Sequence, residues 1–138
     1  MRLLDWALAP GASEDDPRIL LVSERGSNDL VGLAAHERVF LGVTDREKFA
    51  ATKLHVVAVA GAWQGRRFGS GERASDVVMS AALTDIAARE PPRDARVYAV
   101  VHEDNAKSIA LCQRHGLVHE LSRTTPRYLR LVTEHRPT

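Results

Sequence analysis

The sequence predicts an α/β protein whose central sheet is mixed but largely antiparallel and is flanked by helices. One observation is an almost wholly apolar run at 54–60, LHVVAVA, which is typical of a strand covered on both faces. A second is a glycine-bearing loop followed by apolar residues that recur at helical spacing from Ala74 to Ile86. A third is the set of short apolar runs on either side, bounded by turn residues, which adds paired strands.

The elements before the central strand form a hairpin preceded by a short segment. Residues 2–9 are apolar and fit either an edge strand or half a helix, whereas 10–17 carry the proline, glycine and acidic residues of a loop. Two strands are predicted at 18–24 and 30–41, joined by a turn at 26–29. They supply antiparallel neighbours for the central strand.

The elements after the long helix are shorter. Two prolines within 90–94 end that helix and turn the chain. Asp104 or Asn105 can cap a short helix that ends at Gly116, a residue suited to the left-handed position after a helix. Three more strands are predicted at 95–102, 117–123 and 128–133.

The composition indicates one globular domain spanning residues 1–138. A net charge of +1 gives no argument for nucleic acid as a partner, and no apolar run is long enough to cross a membrane. The single cysteine, Cys112, cannot form an internal disulfide, so the fold needs no oxidising compartment. No Cys/His cluster has zinc spacing. We therefore expect a cytoplasmic protein without a metal.

The loop at 63–71, WQGRRFGSG, predicts a site for a phosphate-bearing ligand. A helix N-terminus offers unpaired N–H groups and a partial positive charge, and glycine lets a ligand approach them. The loop is not a P-loop, because no Gly-Lys-Ser/Thr follows, and it lacks the third glycine of the dinucleotide fingerprint.

This loop resembles the acetyl-CoA-binding motif of the GCN5-related N-acetyltransferases (GNATs), Gln/Arg-x-x-Gly-x-Gly/Ala. A second segment at 105–117, NAKSIALCQRHGL, resembles that family's Asn-x-x-Ser/Ala-x-x-Leu-Tyr-x-x-x-Gly-Phe segment, with Cys112 at the Tyr position. The resemblance covers about Arg18 to Arg130. It implies an acetyl-CoA-dependent N-acetyltransferase that transfers acetyl directly from CoA to an amine acceptor. It also implies a GNAT-like sheet that lacks the family's usual first two helices.

Two registers of the loop motif are open. In the preferred one, Gln64 takes the Gln/Arg position, Arg67 stands where the first glycine belongs, and Gly69 supplies the second glycine. In the other, Arg66 begins the motif and Gly69 and Gly71 are its glycines. The first is preferred because the preceding residues also resemble the family's lead-in.

The resemblance implies three groups of cofactor-binding residues. The strand backbone would pair with the pantetheine, the loop amides would hold the pyrophosphate, and the start of the short helix would contact the pantetheine arm. Asn105 also fits a helix cap, and Ser108 also fits plain helix surface. The residues, in that order of groups, are Val57, Ala58 and Val59; Gln64, Gly65, Arg66, Arg67, Phe68, Gly69 and Ser70; Asn105 and Ser108.

Three residues are candidates for catalysis. The family's Tyr at the place of Cys112 often protonates the leaving thiolate; a thiol can donate a proton too, but Cys112 also fits a small core residue. His55 is the only titratable side chain in the strand that carries the family's usual Glu base, followed by His36 and Glu37 on the preceding strand. Tyr128 is a reserve acid on a late strand.

Two alternatives concern activity and assembly. The missing leading helices, strand Glu and helix Tyr leave open a non-catalytic acyl-CoA-binding or protein-interaction module. The strand at 18–24 has an edge that no predicted strand clearly covers, and exposed edges are usually covered or paired. We predict a homodimer there, with 2–9 folding back as a covering strand as the alternative.

Overall fold

The computed structural model of the chain describes residues 2–5, 17–41, 49–89, 96–120 and 127–133. Within these ranges the strands are β1 (Arg2–Asp5), β2 (Arg18–Ser23), β3 (Leu30–Leu41), β4 (Phe49–Val59), β5 (Arg96–His102), β6 (Leu117–His119) and β7 (Tyr128–Thr133). The helices are α1 (Ala74–Ala88) and α2 (Ala106–Arg114), and a short 3-10 turn spans Gly61–Trp63. None of these helices is long and apolar enough to cross a membrane.

The strands form one seven-stranded sheet in the order β1-β2-β3-β4-β5-β7-β6. Every neighbouring pair is antiparallel except β4 and β5, which run parallel because α1 connects them. The predicted mixed, largely antiparallel α/β sheet is therefore confirmed.

Both helices pack on the same face of the sheet, and the core lies between them and the strands. The predicted apolar stripe of α1 is the one that is buried, with Val78 and Ala82 fully covered. Gly32 lies beneath this helix. A Cβ atom there would come within 2.3 Å of the Ala58 carbonyl oxygen and 2.7 Å of a Val78 methyl carbon, so only glycine fits between β4 and α1.

The opposite face exposes large apolar side chains. Val100 alternates along β5 with the buried Ala99 and Val101, so it points away from the helices. By the same alternation Val118 points away from them on β6, and both side chains are more than 40% exposed. A large exposed apolar area of this kind often marks an interface.

A buried ion-pair cluster joins β3 to α1. His36 Nε2 lies 2.8 Å from Asp85 Oδ2, and Arg89 Nε donates to the same carboxyl oxygen at 3.1 Å. Burial raises the pKa of Asp85, but hydrogen bonds from Arg89 and His36 outweigh it and hold the pKa below its usual value. His36, weighed above as a base, is committed to this contact between sheet and helix.

The predicted element bounds agree closely for β3 and β7. β4 begins earlier than predicted, at Phe49, and β6 ends at His119 within the described residues. The interpretation of 2–9 as an edge strand is confirmed for 2–5, where β1 pairs with β2 from Arg18 to Leu21. The edge of β2 is therefore covered by β1 and gives no support for a dimer. The homodimer itself remains a prediction. The predictions at 10–16, 90–94 and 121–123 lie outside the described residues.

Candidate functional site

A gap in the sheet between β4 and β5 forms the centre of the site. The two strands pair only from Ala51 to Lys53 on β4, and then part. The pairing of β4 with β3 shifts at the same point: His36 opposes Leu54 and Ala35 opposes Val56, so His55 is an extra residue. An extra residue of this kind is a β-bulge, which bends its strand and increases the local twist. The bulge at His55 accounts for the parting of the strands.

The parting leaves backbone groups of β4 without a strand partner on one side. The Ala60 N–H donates to the Val31 carbonyl of β3, so alternation directs the N–H and C=O groups of Val57 and Val59 toward β5. By the same rule the Ala58 amide points to β3. Gln64 Nε2 reaches the Val59 carbonyl at 3.4 Å, which is consistent with that direction. Val57 thus presents one donor and one acceptor to the gap.

The gap opens into an inner cleft of about 260 Å³. β4 and β5 form its walls, and α1 and α2 close its floor. Two of the predicted segments meet here, because Val57 of β4, the residue Asn105 directly before α2 and Ser108 of α2 all line the cleft. The lining residues are Leu54, His55, Val56, Val57, Met79, Ala99, Val100, Val101, His102, Asn105, Ser108, Leu111 and Cys112.

A second, outer cleft of about 760 Å³ lies at the start of α1. The first turn of α1 and the exposed side of α2 form it together with the loop after β4. Val77 N donates to Arg73 O, so the amides of Ser75 and Asp76 precede the first helical hydrogen bond and have no acceptor in the helix. The lining residues are Val59, Trp63, Gln64, Gly65, Arg66, Arg67, Arg73, Ala74, Ser75, Ala106, Lys107, Ala110 and Arg114.

The loop between β4 and α1 divides the predicted pyrophosphate residues into two sets. Gln64 to Arg67 line the outer cleft, and Gly65 has a φ of 74°, a conformation that favours glycine. From Arg67 the chain makes a small hairpin that returns to Arg73, in which the Phe68 N–H donates to the Glu72 carbonyl and the Gly71 N–H donates to the Phe68 carbonyl.

The tip of this hairpin carries the other predicted residues. Phe68 stacks on the buried Trp63 at a ring separation of 4.8 Å, whereas Gly69 and Ser70 are exposed. None of the three is among the residues that line the outer cleft. The cleft thus groups the earlier part of the loop with the helix start.

The outer cleft is strongly basic. Arg66 lies over the Trp63 ring at 4.5 Å, and Arg67 donates to the Gly71 carbonyl at 2.7 Å. Arg73 and Lys107 make no side-chain hydrogen bond or ion pair with the residues that the structure describes. Together with Arg114, these side chains place five cations around one cleft. Such a concentration of positive charge suits a polyanionic ligand.

An ion pair ties the first turn of α1 to the end of α2. Asp76 Oδ1 lies 2.8 Å from His115 Nε2 and 3.2 Å from Arg114 Nε. Burial raises the pKa of the Asp76 carboxyl, but hydrogen bonds from His115 and Arg114 outweigh it and leave the pKa below its usual value. The carboxylate in the first turn of α1 is therefore neutralised by its neighbours. His115 thereby links the end of α2 to the first turn of α1.

Asn105 fills its predicted structural role. Its side-chain oxygen accepts from the Ser108 N–H at 3.2 Å, which caps α2, and the same two residues line the inner cleft. The cap uses only the side-chain oxygen of Asn105, so its side-chain nitrogen Nδ2 is available to a ligand in that cleft.

The three catalytic candidates occupy different places. His55 lines the wall of the inner cleft with Nε2 at 2.6 Å from Glu37 Oε1. Cys112 lies on its floor, and burial raises the pKa of the thiol. Tyr128 does not line the cleft but packs edge-on against His102, which does, at a ring separation of 5.2 Å.

The sequence reasoning missed part of the basic cleft. Arg73 and Ser75 enter it because α1 begins only at Ala74, after the hairpin. Lys107 and Arg114 share one face of α2, seven residues apart, with the small Ala110 between them. The seven-residue spacing of two cations on a capped helix could have indicated a basic helix face from the sequence. Among the described residues, no group of three His, Cys, Asp or Glu side chains could hold a metal ion.

Comparison with solved structures finds similar folds. A tetramutant of the BH1408 protein from Bacillus halodurans has a TM-score of 0.59 and 13% identity, over 83% of this chain and 65% of that chain. A Bordetella pertussis protein assigned to the GnaT-family acetyltransferases has a TM-score of 0.55 and 20% identity, over 85% and 65% of the two chains. A chain of the NatC complex bound to Gag peptide and CoA has a TM-score of 0.55 and 10% identity, over 85% and 69%.

These likenesses concern the fold. Models of protein families and curated proteins give no match to the chain. The chain spans about 65% of the length of the first two structures named above. At these identities a shared fold leaves substrate and activity to be argued from the site itself.

Proposed function

We propose that this chain, which has the GNAT fold, is an acetyl-CoA-dependent N-acetyltransferase that transfers the acetyl group directly to an amine acceptor. The observation that carries the proposal is the sheet gap at His55, where Val57 has unpaired backbone groups and from which Val59, two residues further along β4, lines a basic cleft at a helix start. A long ligand with a hydrogen-bonding chain at one end and phosphates at the other fits such a path.

The strand edge supports the placement of the pantetheine arm. An extended chain with amide groups can add to an open strand edge through main-chain hydrogen bonds. Val57 offers both a donor and an acceptor there, and Val59 offers its N–H. In this proposal the Val57 N–H lies closest to the thioester and polarises its carbonyl. Ala58, whose amide points to β3, contributes to the strand but not to these hydrogen bonds.

The basic cleft supports the placement of the phosphates. CoA carries a pyrophosphate and a further phosphate, and the free amides of Ser75 and Asp76 together with the partial charge of α1 favour anions. Arg73 and Lys107 have no competing partner among the described residues. They bind the phosphates without first breaking an ion pair. Gly65 lets the loop backbone approach, and Arg66 and Arg67 add charge.

The transfer itself needs positioning and proton donors. With the thioester fixed along β4, an amine in the inner cleft meets it at close range, which replaces a bimolecular encounter by a step within one complex. The leaving thiolate needs a proton. Cys112 remains protonated at neutral pH because burial raises the pKa of its thiol. In this proposal Cys112 is the nearer donor and Tyr128 the reserve.

Calorimetry and thermal unfolding test the cofactor. Acetyl-CoA is expected to bind and to raise the melting temperature by mass action. Arg73→Ala and Lys107→Ala should each weaken binding roughly tenfold through the loss of a charged contact. Arg96→Ala removes an exposed cation at the far end of β5 and serves as the matched control. Absence of heat and of a melting shift at millimolar acetyl-CoA would refute the proposal.

Turnover separates an enzyme from an acyl-CoA-binding module. A screen of amines, peptides and aminoacyl conjugates for CoA release also identifies the acceptor. Release that depends on the acceptor and falls roughly tenfold in Arg73→Ala at limiting acetyl-CoA supports the enzyme. Binding of acetyl-CoA with no release for any acceptor supports the module.

A further inference from the structure

We infer that His55 and Glu37 act as a pair in this site: His55 takes the proton of the acceptor amine at Nδ1, and Glu37 positions the ring. The inference rests on the proposed function. It concerns how that reaction begins, because an amine attacks a thioester only after it has lost the proton of its ammonium form.

The bulge sets the position of His55. As the extra residue of β4, it has no opposing residue on β3, and a bulge characteristically re-aims its side chain. Its side chain is 33% exposed and lines the inner cleft. It stands two residues before Val57, whose N–H is proposed to polarise the thioester. The ring is therefore beside the place where the amine must attack.

Glu37 determines which nitrogen of His55 is basic. Its Oε1 lies 2.6 Å from Nε2, and an ionised carboxylate can only accept a hydrogen bond. Nε2 must therefore carry the proton of the neutral ring, and Nδ1 keeps its lone pair. Nδ1 has no partner among the residues that the structure describes. A carboxylate that fixes the tautomer and supports the imidazolium is the arrangement of carboxylate–histidine bases generally.

Other titratable groups in the inner cleft are poorer bases. His102 Nδ1 accepts the Asp104 N–H at 3.1 Å, so its lone pair is occupied and its Nε2 carries the proton. Cys112 is held as a thiol, because burial raises its pKa. Among the described residues that line this cleft, His55 alone therefore presents a free basic lone pair.

Charged and titratable groups surround the pair on three strands. Lys53 opposes Glu37 across β3 and β4, and Tyr98 pairs in register with Lys53 on β5. Burial raises the pKa of Tyr98, and the charge of Glu37 raises it further, whereas Arg130 lowers it. The pKa is raised on balance, so the phenol stays neutral beside the pair. With a neutral ring, the pair and Lys53 together carry no net charge. An incoming ammonium thus meets no excess of positive charge.

The proton balance of the step is complete. The acceptor ammonium gives one proton to His55 Nδ1, and its freed lone pair attacks the thioester carbon. The C–N bond forms, the C–S bond breaks and the thiolate leaves with the electron pair. The thiolate takes the proton of the Cys112 thiol, and the product nitrogen then loses its second proton, which restores that thiol. The proton on His55 passes to solvent, so one proton is released per turnover.

Kinetics of matched variants test the pair. His55→Gln should lower kcat/KM by roughly 10² to 10³, the usual contribution of a general base. Glu37→Gln should lower it less and move the acidic limb of the pH profile to lower pH, because an amide does not support the imidazolium. Glu37→Asp should recover part of the activity. Glu24→Gln, on the β2–β3 turn, should leave rate and profile unchanged.

Two further measurements test the roles of His55 and Glu37 independently of acetyl-CoA binding. Acetyl-CoA binding by calorimetry should be the same in His55→Gln and wild type; lost binding in the wild type would instead refute the proposed function. Nitrogen-15 NMR of the ring should show the Nε2–H tautomer at pH 8 in wild type and a mixture in Glu37→Gln. A wild-type Nδ1–H tautomer, or full activity in His55→Gln, would overturn the inference.

Discussion

Replacing Gly32 by alanine should destabilise the protein through a steric clash, because Gly32 alone among the described glycines has neighbouring atoms within 4 Å of an added Cβ. The new Cβ would lie 2.3 Å from the Ala58 carbonyl oxygen and 2.7 Å from a Val78 methyl carbon. An ordinary carbon–oxygen contact is about 3.3 Å or more, so β3 and β4 must separate by roughly 1 Å. Overpacking costs about 1–3 kcal/mol, and a rigid backbone neighbour puts Gly32→Ala at the upper end.

Urea and thermal unfolding measure this cost. A loss of about 3 kcal/mol corresponds to a fall in melting temperature of roughly 10 °C for a chain of this size. Gly69→Ala is the control, because its Cβ would meet nothing within 4 Å and its φ is not left-handed. That variant should stay within about 0.5 kcal/mol of wild type. Equal stability of the Gly32 and Gly69 variants would refute the packing argument.

Three other predictions concern the buried acid, the loop and assembly. Asp85→Asn should cost roughly 3 kcal/mol at pH 7. Because the pKa of Asp85 is lowered, its contribution to the free energy of unfolding is present above about pH 4 and is lost as the pH falls through the lowered value. Urea unfolding should therefore show a smaller difference in stability between Asp85→Asn and wild type at pH 3 than at pH 7. Gly65→Val should weaken acetyl-CoA binding in calorimetry and Gly71→Ala should not, although both have left-handed φ; the reverse would favour the later register. Light scattering after size exclusion should show a dimer that Val100→Lys with Val118→Lys dissociates, whereas a 15.2 kDa wild type at every concentration would end that prediction.

The sequence predicts strongly patterned elements better than strand pairing. The predicted bounds of β3 agree with the structure because a turn at 26–29 precedes the strand and apolar residues extend to Leu41. The predicted strand begins at Leu54, later than β4, because the five residues from Phe49 to Lys53 lack the β-branched run that follows them and gain strand structure from pairing with β3. The bulge at His55 was not predictable, since it exists only relative to the register of another strand.

The residues of the candidate site also fall into two groups, those indicated by local sequence patterns and those brought together by strand pairing or loop hydrogen bonds. Gln64 to Arg67, Asn105 and Ser108 were found through local patterns. Arg73 was missed because the hairpin before α1 brings it back beside Arg67, and that return depends on hydrogen bonds rather than on spacing. The sequence predicts Glu37 only as a candidate base after His55. Its contact with His55 joins residues 18 positions apart and follows from the β3–β4 register.

The short pairing of β4 with β5 makes the sheet a pair of lobes joined at a seam. One lobe holds β1 to β4 under α1, and the other holds β5 to β7 against α2. Three residue pairs and the contact of Asp76 with α2 are the polar links described between them. An extended ligand bound in the seam would connect the two lobes through main-chain hydrogen bonds that β4 and β5 do not make with each other. Backbone amides along the seam should therefore exchange faster than amides paired elsewhere in the sheet when no ligand is bound, and the cooperativity of unfolding should increase when the seam is filled.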